Sequence, residues 1–83
     1  MLNTYLKKKF EANDLYPSLV ARKIDTSRSN VTVWLSGSSI PSMRFCVRIA
    51  ALIAIKENVS RSEILNEMAM AMSQTDIKGP DND

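Results

Sequence analysis

The segment from Val20 to Gly37, VARKIDTSRSNVTVWLSG, constrains this chain more than any other. It reads as two short helices joined by a tight turn at Asp25 and Thr26. Ser27 is a good N-cap for the second of them, which is predicted over about Arg28 to Leu35. Gly37 ends that helix as a glycine just past the last turn should. Val31, Trp34 and Leu35 share one apolar face, so that face must point inward. Arg28, Ser29, Thr32 and Val33 are left outside. Val31, Thr32 and Val33 are β-branched and mediocre helix formers, so packing against neighbours must hold this element.

The remaining chain reads as support. Leu2, Tyr5, Leu6 and Phe10 recur at helical spacing and predict a first helix over about Asn3 to Ala12. Lys7, Lys8 and Lys9 sit late in it, where cations suit the carbonyl end of the helix dipole. A second helix opens at Tyr16 or Pro17 and ends at Lys23 or Ile24, with proline tolerated in the first turn. After Pro41, capped at Ser42, comes a fourth and most apolar helix. It carries Phe45, Cys46, Ile49, Ala50, Leu52 and Ile53 and runs through Ile55 or Lys56. Ser60 and Glu63 form a capping-box pattern that opens a fifth helix. Its stripe is Ile64, Leu65, Met68, Ala69 and Met72. From Ser73 the composition turns polar, and a disordered tail over 73–83 is expected. The prediction is an all-α five-helix domain over residues 1–72, with its helix-turn-helix unit at 17–36.

With 83 residues the chain has room for one small domain and a thin core, which oligomerisation commonly supplements. The net charge of +2 hides an uneven distribution. Ten of the 11 cations but six of the nine acids precede Ser73, so that part carries +4. Such an excess is compatible with nucleic acid without demanding it. There is no His, which removes the usual metal sites and the usual general base. No Gly-rich phosphate loop or metal-ligand spacing occurs either, and an enzyme is not expected. Neither a cofactor, a metal nor a small-molecule ligand is implied. Cys46 is the only cysteine and reads as a buried small hydrophobe, in keeping with a reducing cytoplasm. The apolar run Ile49 to Ile55 falls well short of the roughly 20 residues that span a bilayer. Lys7 to Lys9 also spoil a signal-peptide layout.

Five short helices in this order, with the second and third as the tight unit, resemble the phage Cro and repressor family of lambda repressor-like helix-turn-helix domains. The resemblance covers roughly residues 5 to 72. It rests on Val20-Ala21, Ile24, Ser27, Val31, Trp34, Gly37, Pro41, Ile49-Ala50 and the Ser60 opening of the last helix. It implies a transcription regulator, a Cro-like repressor above all, that binds a palindromic double-stranded DNA operator as a homodimer. One recognition helix would enter each of two successive major grooves. By position, Arg28, Ser29, Thr32 and Val33 would read base edges: Arg28 suits guanine O6 and N7, and Val33 suits a thymine methyl. Ser27, Asn30, Ser36, Ser38 and Ser39 suit phosphates.

Four departures accompany the resemblance. Asp25 stands where Gly is usual, at a position of positive φ that Asp tolerates. Pro17 replaces a Gln that often braces a phosphate, a contact that Ser18 or a backbone N–H would have to supply. Leu35 stands where Glu is common. The link from Ile53 to Ser60 is about one turn longer than usual, which suggests a lengthened fourth helix.

Arg44 and Arg48 lie one turn apart and either face phosphates or solubilise an apolar helix. Arg44 is the one carried among the phosphate contacts. Ile64, Met68, Met70 and Met72 give the last helix apolar surface on more than one side and are assigned to a dimer interface. The competing function is a protein-interaction module, such as an antitoxin or a regulatory partner, in which the last helix and tail engage another protein and DNA binding is secondary.

Overall fold

Five helices follow one another with short connections in the computed structural model: α1 (Leu2–Ala12), α2 (Pro17–Ile24), α3 (Arg28–Ser36), α4 (Met43–Glu57) and α5 (Arg61–Lys78). It describes the backbone of residues 1–78 and the side chains of residues 1–73. Among the described residues there is no strand, so the chain is all-α. The tail expected from Ser73 is helical as far as Lys78; from residue 79 on it lies outside the described residues.

The core is one apolar cluster to which every helix contributes. Leu2, Leu6 and Phe10 come from α1; Val20, Ala21 and Ile24 from α2; and Val31 and Trp34 from α3. Cys46, Ile49, Ala50, Ile53 and Ala54 of α4 meet Ile64 and Met68 of α5. Among the described residues none that is polar or charged is buried. Stability therefore rests on apolar burial, at roughly 25 cal/mol per Å². α4 packs on α5 and α2, while α1 bridges α3 and α5.

The chain reverses at left-handed residues. Asp25 (φ 64°), Gly37 (φ 87°) and Asn58 (φ 58°) follow α2, α3 and α4. Each is followed by an amide that bonds back to a helical carbonyl: Thr26 to Ala21 at 2.9 Å, Ser38 to Val33 at 3.2 Å and Val59 to Ala54 at 3.0 Å. These bonds occupy carbonyls that the helix ends leave open. At Gly37 the positive φ favours glycine, and a Cβ would also stand 3.0 Å from Asn3 Nδ2, so that side chain would have to give way.

Several expectations need adjustment. α4 reaches Glu57, one residue beyond the predicted end, which fits the lengthened link before Ser60. Ser42 occupies the cap position of α4, but its hydroxyl makes no capping bond. Ser60 Oγ accepts from the Glu63 N–H at 3.1 Å, which is half of a capping box. On α5 the buried stripe is Ile64, Met68 and Ala71, and Ala69 is exposed. At about 100° per residue, Ala71 returns to the face of Ile64 whereas Ala69 has turned away from it.

The lysine run divides. Lys9 is an anchor: its Nζ lies 2.8 Å from Glu57 Oε1 and 3.5 Å from Glu67 Oε1. Asn13 Nδ2 donates to Glu57 Oε2 at 2.8 Å, and the Tyr5 hydroxyl donates to Glu67 Oε1 at 2.6 Å. This cluster ties α1 to the end of α4 and to α5. Burial, then the Glu67 bond, push the Tyr5 hydroxyl well above its ordinary range. Lys7 and Lys8 stay exposed.

Candidate nucleic-acid interface

The geometry of α3 is fixed from its ends inward. Asp25 takes the left-handed turn, and Ser27 Oγ accepts from the Asn30 N–H at 3.1 Å. Asn30 Nδ2 donates to Thr26 Oγ1 at 2.8 Å, which stiffens the turn further. A guanidinium from α4 completes the brace: Arg48 donates to the Ile24 carbonyl oxygen at 2.9 Å. A cation at the carbonyl end of α2 also suits that helix's dipole. Arg48 thus has a bracing role that neither of the two sequence expectations, phosphate contact or solubilising charge, had named.

The inner face seats α3 on the core. Val31 and Trp34 are buried, and Leu35 packs against the core from its margin. The Trp34 and Phe45 rings meet at 5.4 Å with a 42° tilt, a favourable aromatic contact. Trp34 is therefore a packing residue.

That seating leaves Arg28, Ser29, Thr32 and Val33 together on the outer side, all exposed. Helical geometry spreads them over an arc of about 140°. Among the described residues, the side chains of Arg28, Ser29 and Thr32 make no hydrogen bond or ion pair within the chain. Val33 adds an exposed pair of methyls. The face offers one fork of guanidinium donors, two hydroxyls and one small apolar contact, the group types that read base edges in a major groove.

The residues assigned to phosphates are all exposed, but they differ in what they already bind. Ser27 and Asn30 are engaged in the cap and the turn. Ser36 Oγ donates to the Val33 carbonyl oxygen at 2.8 Å and lies 3.0 Å from Ser38 Oγ. This small network shapes the exit of α3. Ser18 lies in the first turn of α2, behind Pro17, where no side chain caps the helix. Ser39 lies in the loop before α4. The Arg44 guanidinium sits 4.8 Å from the centre of the Phe45 ring in the first turn of α4. Met43, its neighbour, is exposed.

The dimer assignment needs a correction. Ile64 and Met68 are fully buried within the chain and offer no surface to a second copy, because they are the residues that dock α5 on the core. Met72 is half-buried and Met70 is 66% exposed. Two residues missed in the sequence lie in the same region. Met1 and Ile40 are 52% and 64% exposed. Met1 lines one hollow with Trp34, Gly37, Ile40 and Met72, and a second with Tyr5, Met70 and Ala71. Exposed apolar side chains therefore extend from α5 past Met1 to the loop that leaves α3, interspersed with Asn3, Thr4, Lys8, Ser39 and Glu67. Ile40 carries no helical periodicity that would announce it.

Cys46 is buried, and its thiol donates weakly to the Pro41 carbonyl oxygen at 3.5 Å. Burial pushes the thiol up, which makes it inert. Among the described residues no cluster of three or more acidic or cysteine side chains is placed to hold a metal ion. No helix of the described residues is long and apolar enough to cross a membrane.

In comparisons with known proteins, no protein-family model, no curated protein and no solved structure matches this chain.

Proposed function

We propose that this chain is a sequence-specific double-stranded DNA-binding transcription regulator, similar to the phage Cro and repressor type. The observation that carries it is the outer face of α3. A helix with weak intrinsic propensity is capped, braced and seated so that Arg28, Ser29, Thr32 and Val33 stand outside with no internal partner among the described residues.

In this reading α3 lies in the major groove. Arg28 reads a guanine through two donors, Ser29 and Thr32 hydrogen-bond weakly discriminating edges, and Val33 packs on a thymine methyl. Ser18, Ser27, Asn30, Ser36, Ser38, Ser39 and Arg44 set the register on phosphates beside it. A second copy binds through Met1, Ile40, Met70 and Met72. That patch adjoins the exit of α3, so a two-fold axis there brings two recognition helices to neighbouring half-sites. The dimer then covers a palindromic operator in the cytoplasm of a bacterial cell, or of the host cell of a phage or plasmid, and represses by occluding the promoter.

Selection of bound duplexes from a random DNA library at about 0.15 M salt tests this, because non-specific charge binding is already weakened there. The expected result is an inverted repeat whose half-site spacing reports the dimer geometry. Recovery of weak, salt-sensitive binding with no motif would overturn it and leave a protein-interaction module.

A further inference from the structure

A groove of about 780 Å³ runs between α2 and α4 and is lined by no residue of α3. Its apolar floor includes Leu19, Leu52 and Ile55. Ile55 is 79% exposed, the most of any large hydrophobic side chain among the described residues. Exposed aliphatic surface beside partly buried leucines is the pattern of a contact surface rather than of scattered apolar residues. Cations border it. Lys23 comes from α2, and Arg48 and Lys56 from α4, against the single carboxylate of Asp25. Among the described residues neither Lys23 nor Lys56 forms an ion pair. Arg48 spends one donor on the Ile24 carbonyl and has others to give.

We propose that this groove docks an acidic amphipathic helix of a protein partner. An apolar stripe at i, i+3 or i+4, and i+7 would lie on Leu19, Leu52 and Ile55, with Asp or Glu on its flanks meeting the lysines. Charge selects this occupant over a second copy of the chain. A two-fold contact through the groove would bring two patches of net positive charge together, and like charges in an interface are strongly disfavoured. The apolar floor argues against a nucleic-acid backbone, which binds through charges and polar groups.

The proposal stands apart from the DNA reading, because none of these residues lies on α3. Its test pans a displayed library of helical peptides, randomised at apolar and charged positions, against the full chain. The expected winners carry an apolar stripe flanked by acids. Ile55→Gln weakens them about tenfold or more, with thermal stability and DNA binding unchanged. A second variant carrying Lys23→Glu and Lys56→Glu turns the preference toward basic peptides. The absence of enriched peptides, enrichment of basic ones on the native chain, or indifference to both variants would overturn the proposal. So would sedimentation showing that Ile55→Gln converts a dimer to a monomer, which would make the groove a self-contact.

Discussion

Lys9 and Arg28 are both cations on short helices, and their surroundings are opposite. Lys9 lies in the last turn of α1, at the end a positive charge favours, and is bonded to Glu57 and near Glu67. Arg28 lies in the first turn of α3, at the end that disfavours it, and forms no ion pair among the described residues. Where α1 meets α4 and α5, one cluster is built for stability: Lys9, Glu57 and Glu67 are paired, and Asn13 ties the end of α1 to Glu57. The outer face of α3 breaks those rules locally while its inner face obeys them. Nothing within the chain compensates the charge of Arg28, and in the proposed DNA reading the phosphates of the duplex would reverse the dipole penalty.

The sharpest way to break this division is at the inner face. Trp34→Ala should cost about 3–5 kcal/mol in denaturant unfolding and abolish every function through the fold. A loss below about 1 kcal/mol would mean that α3 is not seated by its tryptophan.

Gly37→Ala comes next. Its φ of 87° and the 3.0 Å approach to Asn3 predict a loss of about 1–2 kcal/mol. Since Gly37 also shapes the exit of α3, DNA binding should fall with stability and be regained on cooling. Binding lost with stability unchanged would place Gly37 in the interface itself.

The Lys9 cluster is tested by pH. The Lys9 bond, with help from Asn13, holds the Glu57 carboxyl below its ordinary range, and the same bond raises Lys9 above its own. A depressed carboxyl contributes stability above its unfolded-state value, and that contribution is lost as pH falls through the native one. A raised lysine contributes below its unfolded-state value and loses it as pH rises through the native one. Stability should therefore form a plateau between these limits. Both side chains keep about a quarter of their surface in water, so the pair is worth about 1 kcal/mol or less. Glu57→Gln should lower neutral-pH stability by that amount and flatten the acid limb in a urea series. An acid limb equally steep in the variant would locate the titration elsewhere.

The smallest effect sharpens the contrast most. Arg28→Ala should leave stability unchanged or raise it by about 0.3 kcal/mol, because a cation leaves the positive end of a helix. A clear loss in a thermal melt would give Arg28 a structural role after all.

Much of the fold was legible because its signals are local. Asp25, Ser27 and Gly37 announce a turn, a cap and a stop by their own backbone chemistry, and α3 begins and ends within a residue of where they place it. Ala69 and Ala71 were exchanged because two alanines give a periodicity argument little to hold. Arg48 reaches a carbonyl 24 positions away, and Lys9 a carboxylate 48 away, so no local pattern marks either. Ile64 and Met68 looked available for a dimer because a stripe shows that a face is apolar without showing what covers it. The four outer positions of α3 were readable because the inner three are so clearly apolar.

The most direct test of the DNA reading compares the native chain and Arg28→Ala on the duplex recovered by selection and on its single-base variants. A loss of about 1–3 kcal/mol on the selected site is expected for Arg28→Ala, with relaxed preference at one base pair per half-site and unchanged thermal stability. Equal affinity and unchanged preference for both proteins would contradict it and remove α3 as the recognition element.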